Sequence, residues 1–155
     1  MLEYTLRPKY NGELICLCGV PGSGKSTAAD MLVGLFKDYE AIRFETDDYF
    51  YNSEGEYVFD FTKLKEYHEA NQKRVRDKMS ETLKIGSVQP DYHSVIIVSN
   101  TFVQNWELSP YQDLADEFKF RFHSWIIENR HGGKSVHDVP FDKIELMRKN
   151  FEVQL

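Results

Sequence analysis

The stretch that decides the fold is "GVPGSGKST", Gly19 to Thr27. It fits the spacing G-x-x-x-x-G-K-[ST], and its neighbours fit as well. Before it, the apolar run "ELICLC" (13–18) reads as a buried strand. After it, "STAADMLVGLFKD" reads as a helix, with Met31, Leu32, Leu35 and Phe36 at helical spacing. Glycines in such a loop let the backbone curl so that successive N–H groups converge on phosphate oxygens. The helix N-terminus behind them adds positive potential. In this reading Gly22, Ser23, Gly24, Lys25, Ser26 and Thr27 hold the nucleotide. Lys25 reaches the β- and γ-phosphates of ATP, and the Ser26 hydroxyl takes Mg²⁺. A dinucleotide-binding turn competes, since "GSGKST" begins G-x-G and acids lie downstream. Thr27 stands where that turn needs its third glycine, and Lys-Ser follows directly, so the triphosphate loop is the better fit.

The loop names the phosphoryl donor but not the reaction. No Asn-Lys-x-Asp guanine reader occurs in the chain, and 155 residues are few for an AAA-type motor. A small kinase is the natural candidate.

Composition sets the outer limits. The length suits one domain, 1–155, with a single core. No apolar run approaches the roughly 18–20 residues that span a bilayer, so no membrane partner is expected. The opening "MLEYTLRPKYNGE" lacks the basic-then-apolar order of a secretory signal. Cys16 and Cys18 alternate on one strand, point the same way and read as buried thiols. The expectation is a cytoplasmic protein. A net charge of −6 argues against wrapping a nucleic-acid duplex, though not against a site for one strand end. Between Phe61 and Ile85 seven basic residues (Lys63, Lys65, Lys73, Arg74, Arg76, Lys78, Lys84) outnumber four acids (Glu66, Glu69, Asp77, Glu81). A solvated helix face is the plain account of that surplus.

Further along, "EAIRF" (40–44), "SVIIVS" (94–99) and "KFRFHSWII" (119–127) read as strands. Residues 62–83 form the longest helical candidate, with Leu64, Tyr67, His68, Asn71, Val75 and Met79 on one stripe. "SPYQDLADEF" (109–118) predicts a helix capped by Ser109 with Pro110 at its first position. "ENRHGGKSVHDVP" reads as a loop, and "FDKIELMRKNFE" as a closing helix. Strands alternating with helices predict an α/β fold of the P-loop NTPase type, small and kinase-like: a mainly parallel four-stranded sheet flanked by helices.

"EAIRF" delivers "ETDDYF" to the carboxyl edge of that sheet, beside the phosphate loop, where ligands of such sheets bind. A carboxylate there can take the proton of an attacking hydroxyl. Strand parity alone does not choose between Asp47 and Asp48, and an exposed Asx-type turn is the plain alternative.

The ordered set "GVPGSGKST", "TDDYF", "YHEANQKR", "IIVSNT", "WELSPY" and "VPFDKIELM" resembles the polynucleotide-kinase-like P-loop kinases, from about Leu14 to Phe151. It looks nearest to the Nedd-four-binding-protein-like branch, and more distantly like the phage 5′-hydroxyl polynucleotide kinase domain. The resemblance implies that Asp47 is the base and that Asp48 supports the loop or the metal's waters; Asp48, Phe50 and Asn71 are the residues expected on the substrate side. Phe50 stands where the phage enzymes carry an arginine toward the acceptor, so stacking on a ring or plain packing are its two readings. Asn71 and His68 fall in a His-x-x-Asn pair near the cleft, with a core hydrogen bond the expectation for His68. Trp106 reads as structural, with acceptor contact the sharper option.

Two departures bear on activity. No carboxylate follows the strand "IIV": Ser99 or Asn100 stands where related kinases carry an acid. The segment before the last helix, where they carry arginines, holds Glu128, with Arg130, then Lys134, then His131 as the candidates to assist transfer. The functional expectation is a kinase moving the γ-phosphoryl group of ATP to a hydroxyl, foremost the 5′-OH of a polynucleotide or nucleotide. A nucleoside or small-metabolite kinase, and an ATP-binding regulatory module with weakened catalysis, are the alternatives.

Overall fold

The computed structural model describes residues 10–128, 130 and 134–151. Four strands, β1 (Gly12–Cys18), β2 (Glu40–Phe44), β3 (Ser94–Ser99) and β4 (Phe120–Ile126), form one sheet in the order β2-β3-β1-β4. Every pairing is parallel, with Leu14 beside Ile96 and Phe122, and Leu17 beside Ser99 and Trp125. Parallel neighbours need crossovers, and helices supply them: α1 (Lys25–Leu35), α2 (Leu64–Gly86) and α3 (Asn105–Phe118), with α4 (Phe141–Lys149) closing the described chain. This is the four-stranded α/β arrangement expected from the alternation of elements.

Helices on both sides explain why β1 and β3 are apolar without interruption. Leu14, Cys16, Ile96 and Val98 face one way, packing with Val75 and Met79 of α2 and Leu108, Tyr111 and Leu114 of α3. Ile15, Leu17, Val95 and Ile97 face the other way, against Ala29 of α1. Burial of both thiols, free and unbridged, pushes Cys18 up to about 12 and raises Cys16 as well.

Three expectations need correction. On α1 the stripe toward the sheet is Ala28, Ala29, Leu32, Val33 and Phe36, while Met31 and Leu35 are exposed. The helix is set by the loop that starts it, and that loop turns a different face inward. The helix predicted from Ser109 begins four residues earlier, because Glu107 accepts from the backbone N–H groups of Val103 and Gln104, each at 2.8 Å. That capping box outweighs the Ser-Pro pair, and Pro110 sits inside the helix, forgoing the bond that residue 110 would donate to residue 106. Trp106, read as structural, is 68% exposed in the first turn of that helix.

Candidate active site

The phosphate loop leaves β1 at Cys18 and is pinned where Gly19 N–H donates to Thr101 O at 3.0 Å. Gly24 caps α1 at φ 98°, a left-handed conformation natural to glycine, and Gly22 lies at φ 78°. Lys25 Nζ donates to the loop's own carbonyls, Gly19 O at 2.8 Å and Val20 O at 3.0 Å. Burial lowers its pKa to about 8, against the opposing pull of Asp47 and Glu45. Ser26 and Thr27 are exposed on the first turn of α1, and Ser23 is buried beneath. A glycine-rich loop, one lysine and a helix N-terminus suit a triphosphate. No group of three metal-ligating side chains occurs among the described residues. The Ser26 hydroxyl is an oxygen of the kind that could join phosphate oxygens around Mg²⁺.

Across from the loop, β2 runs into a tight 3₁₀ turn, Thr46–Phe50. Here the two acids, equivalent by parity, separate. Asp48 Oδ2 accepts from Arg74 at 2.8 Å and from Glu45 N–H at 3.3 Å, which makes it a structural cap. Arg74 is itself held by Asn71 Oδ1 at 2.8 Å and by Glu45 O, and lies over the rings of Phe44 and Tyr49. Asp47 is open: Tyr57 O–H donates to Oδ1 at 3.3 Å, and His137 Nε2 lies 3.6 Å from Oδ2.

Two residues assigned to substrate contact are instead interior. Phe50 is 3% exposed at the centre of an aromatic cluster with Tyr57, Phe59 and Tyr67. Asn71 is fully buried, donating to Tyr111 Oη at 2.8 Å, so it reaches the cleft only through Arg74. Asp48, also assigned to substrate contact, is engaged by Arg74 as above. His68 makes the hydrogen bond expected of it, with Nδ1 3.2 Å from Thr46 Oγ1, and burial lowers its pKa.

Sheet geometry also separates Ser99 from Asn100. Asn100 turns toward α2 and α3, accepting from Thr46 N–H at 2.9 Å and donating to Tyr111 Oη at 3.4 Å. Ser99, beside Leu17, falls on the α1 face with Val95 and Ile97. Ser99 is the residue that stands where an acid on the phosphate-loop face would stand. Its buried Oγ has no hydrogen-bond partner among the described residues. The next turn carries Phe102 at φ 42°, a strained value for a bulky residue, held by burial against Tyr111.

Arg130 is exposed and paired with Glu128. The backbone of Lys134 and Ser135 instead lies directly over Gly22: a Cβ there would come within 2.6 Å of Ser135 N. His131 lies outside the described residues. Most basic residues along 63–84 are engaged: Lys63 with Glu66, Lys65 with Glu69, Lys73 with Asp77, Arg74 with Asp48, Arg76 with Glu117, and Lys78 with Glu40 and Glu81. Several of these pairs are exposed to solvent, consistent with the solvated helix face of the plain reading. Sequence reasoning passed over Tyr57 and His137, which belong to no motif and meet Asp47 only in the fold; it also passed over Tyr111, the last residue of "WELSPY", which accepts from Asn71 and Asn100.

Residues 14–153 match the family described as AAA domain. The chain belongs to that family. It is a P-loop kinase-like member. It is 32% identical over 146 residues to human NEDD4-binding protein 2, covering 90% of this chain and 8% of that protein. Among solved structures, the Pnkp1/Rnl/Hen1 complex aligns with a TM-score of 0.57 at 18% identity, over 94% of this chain and 41% of that one. The Mycobacterium tuberculosis APS kinase CysC, solved with AMPPNP and APS, aligns at 0.50 and 16% identity, over 90% and 69%. At these identities the solved structures speak for the fold. No helix of the described residues is long and apolar enough to cross a membrane.

Proposed function

We propose that the chain is an ATP- and Mg²⁺-dependent phosphotransferase acting on a hydroxyl, with the 5′-OH of a nucleic-acid end or nucleotide as acceptor. The observation that carries this is Asp47, a carboxylate half open to solvent and close enough to the phosphate loop to act on Lys25. Lys25 and the loop amides hold the triphosphate, and Ser26 ligates the metal, which neutralises charge on the phosphate oxygens. Asp47 takes the proton as the acceptor oxygen bonds to the γ-phosphorus and the bond to the ADP oxygen breaks. Arg130 assists from the segment before α4. The likeness to polynucleotide-kinase-like proteins favours a nucleic-acid acceptor. The buried, unbridged Cys16 and Cys18 fit a cytoplasmic setting.

A second reading, a nucleotide-binding module with weakened catalysis, draws on Ser99 in the place of an acid. Incubation with labelled ATP and a panel of 5′-OH oligonucleotides, nucleosides and small hydroxyl metabolites separates the two. Label on an oligonucleotide end supports the first reading. Label on a nucleoside or metabolite alone keeps the kinase and replaces its acceptor. ATP binding by calorimetry with no labelled product favours the module.

A further inference from the structure

We propose that His137, working with Tyr57, is a positioning residue that sets the carboxylate of Asp47 for proton transfer, an inference that rests on Asp47 acting as the base. Two contacts meet that carboxylate from separate parts of the chain, and a third joins the side chains that make them. The hydroxyl of Tyr57 donates to Oδ1 at 3.3 Å. The imidazole Nε2 of His137 stands 3.6 Å from Oδ2, an electrostatic contact rather than a hydrogen bond. The Tyr57 and His137 rings stack on each other, centroids 3.9 Å apart and planes 23° from parallel. Each oxygen thus faces one of two side chains that also brace each other.

His137 is placed for this by its own short segment. Its backbone N–H donates to Ser135 Oγ at 3.3 Å, and the next residue, Asp138, turns the chain at φ 50°. Aspartate tolerates that left-handed conformation better than most residues. The same segment lays the backbone of Lys134 and Ser135 on Gly22 of the phosphate loop. One stretch of five residues therefore touches both halves of the cleft, the loop through its backbone and the base through His137. In this arrangement the segment that rests on the phosphate loop also aims the group that deprotonates the acceptor. A base displaced by even about 1 Å loses on the order of a hundredfold in rate, so the grip has a kinetic consequence.

The test uses the full chain, with 5′-OH oligonucleotide and labelled ATP for kinetics, calorimetry for ATP binding, and NMR of the histidine imidazoles. His137→Ala is expected to lower kcat roughly ten- to a hundredfold while the ATP Kd stays within about twofold. His137→Gln, which keeps a polar donor, recovers part of that loss. Tyr57→Phe combined with His137→Ala is expected to be less than additive, since both act on one carboxylate. The His137 resonance shifts on Tyr57→Leu, which removes the stacked ring, and on Asp47→Asn. Wild-type transfer with an unchanged kcat in His137→Ala overturns the proposal and leaves the kinase reading standing. An imidazole that answers to neither Tyr57→Leu nor Asp47→Asn overturns it by showing that the contact does not form. Wild type that moves no label, with the imidazole still responding, refutes the kinase reading and with it the catalytic sense of the pair.

Discussion

The two halves of the cleft are built in opposite ways. The phosphate half is nine consecutive residues, Gly19 to Thr27, whose hydrogen bonds run largely among themselves. The acceptor half gathers Asp47, Tyr57 and His137 from positions up to 90 residues apart, and rests on Arg74, Asn71, Asn100 and Tyr111 from three further elements. A contiguous loop can be moved between proteins with its chemistry intact. A dispersed site depends on its surroundings, and is the half where related folds are free to change what they phosphorylate.

The largest expected effect tests whether the acceptor half is catalytic. Asp47→Asn keeps the shape of the side chain but removes the base, and should reduce kcat by about 10²–10⁴-fold with ATP affinity nearly unchanged. Asp48→Asn acts on Arg74 and should mainly lower stability. If single-turnover labelling shows Asp48→Asn to be the more damaging to transfer, the division between the two acids is wrong.

The phosphate half is tested by Lys25→Ala, which removes charge-assisted hydrogen bonds to phosphate. Each such bond is worth about 1.5–3 kcal/mol, so calorimetry should show ATP affinity falling by roughly ten- to a hundredfold or more. Unchanged affinity would show that the loop is not the nucleotide site.

Next comes the support beneath the acceptor half. Tyr111→Phe leaves the buried amides of Asn71 and Asn100 without an acceptor, at a cost of about 1–3 kcal/mol in urea unfolding. The loss should be accompanied by weaker acceptor binding, since Asn71 holds Arg74 and Asn100 holds Thr46. ATP binding should hardly change.

The smallest effect is protonic. Lys25 sits at about 8, against an ordinary value of 10.5, because burial disfavours its charge. Phosphate raises that value, so ATP binding at pH 8 should take up to about half a proton. Calorimetry in buffers of different ionisation enthalpy measures the uptake, and Lys25→Met should abolish it. The same shift makes the free protein more stable as pH rises from about 8 towards 10.5, where the unfolded chain still holds the extra proton.

Sequence reasoning reached the strands most closely, because a parallel sheet covered on both faces writes itself as unbroken apolar runs such as 14–18 and 95–98. It was weaker at helix starts and faces. Ser109-Pro110 is a good local signal, overridden by Glu107 reaching back to Val103 and Gln104. Phe50 and Asn71 were placed near the cleft by their motifs, yet the fold put both inside it as supports.

The sequence by itself determined the alternation that makes the sheet, the loop for the triphosphate, and a pair of acids at the sheet's carboxyl edge. Each depends on residues close together in the chain, where spacing and backbone preference suffice. Only tertiary structure decided that Asp48 is tied to Arg74 while Asp47 is open, and that Ser99 rather than Asn100 is on the phosphate-loop face. It alone brought Tyr57 and His137 to one carboxylate. Those outcomes depend on which surfaces pack together, and packing acts between side chains whose separation along the chain carries no local signature.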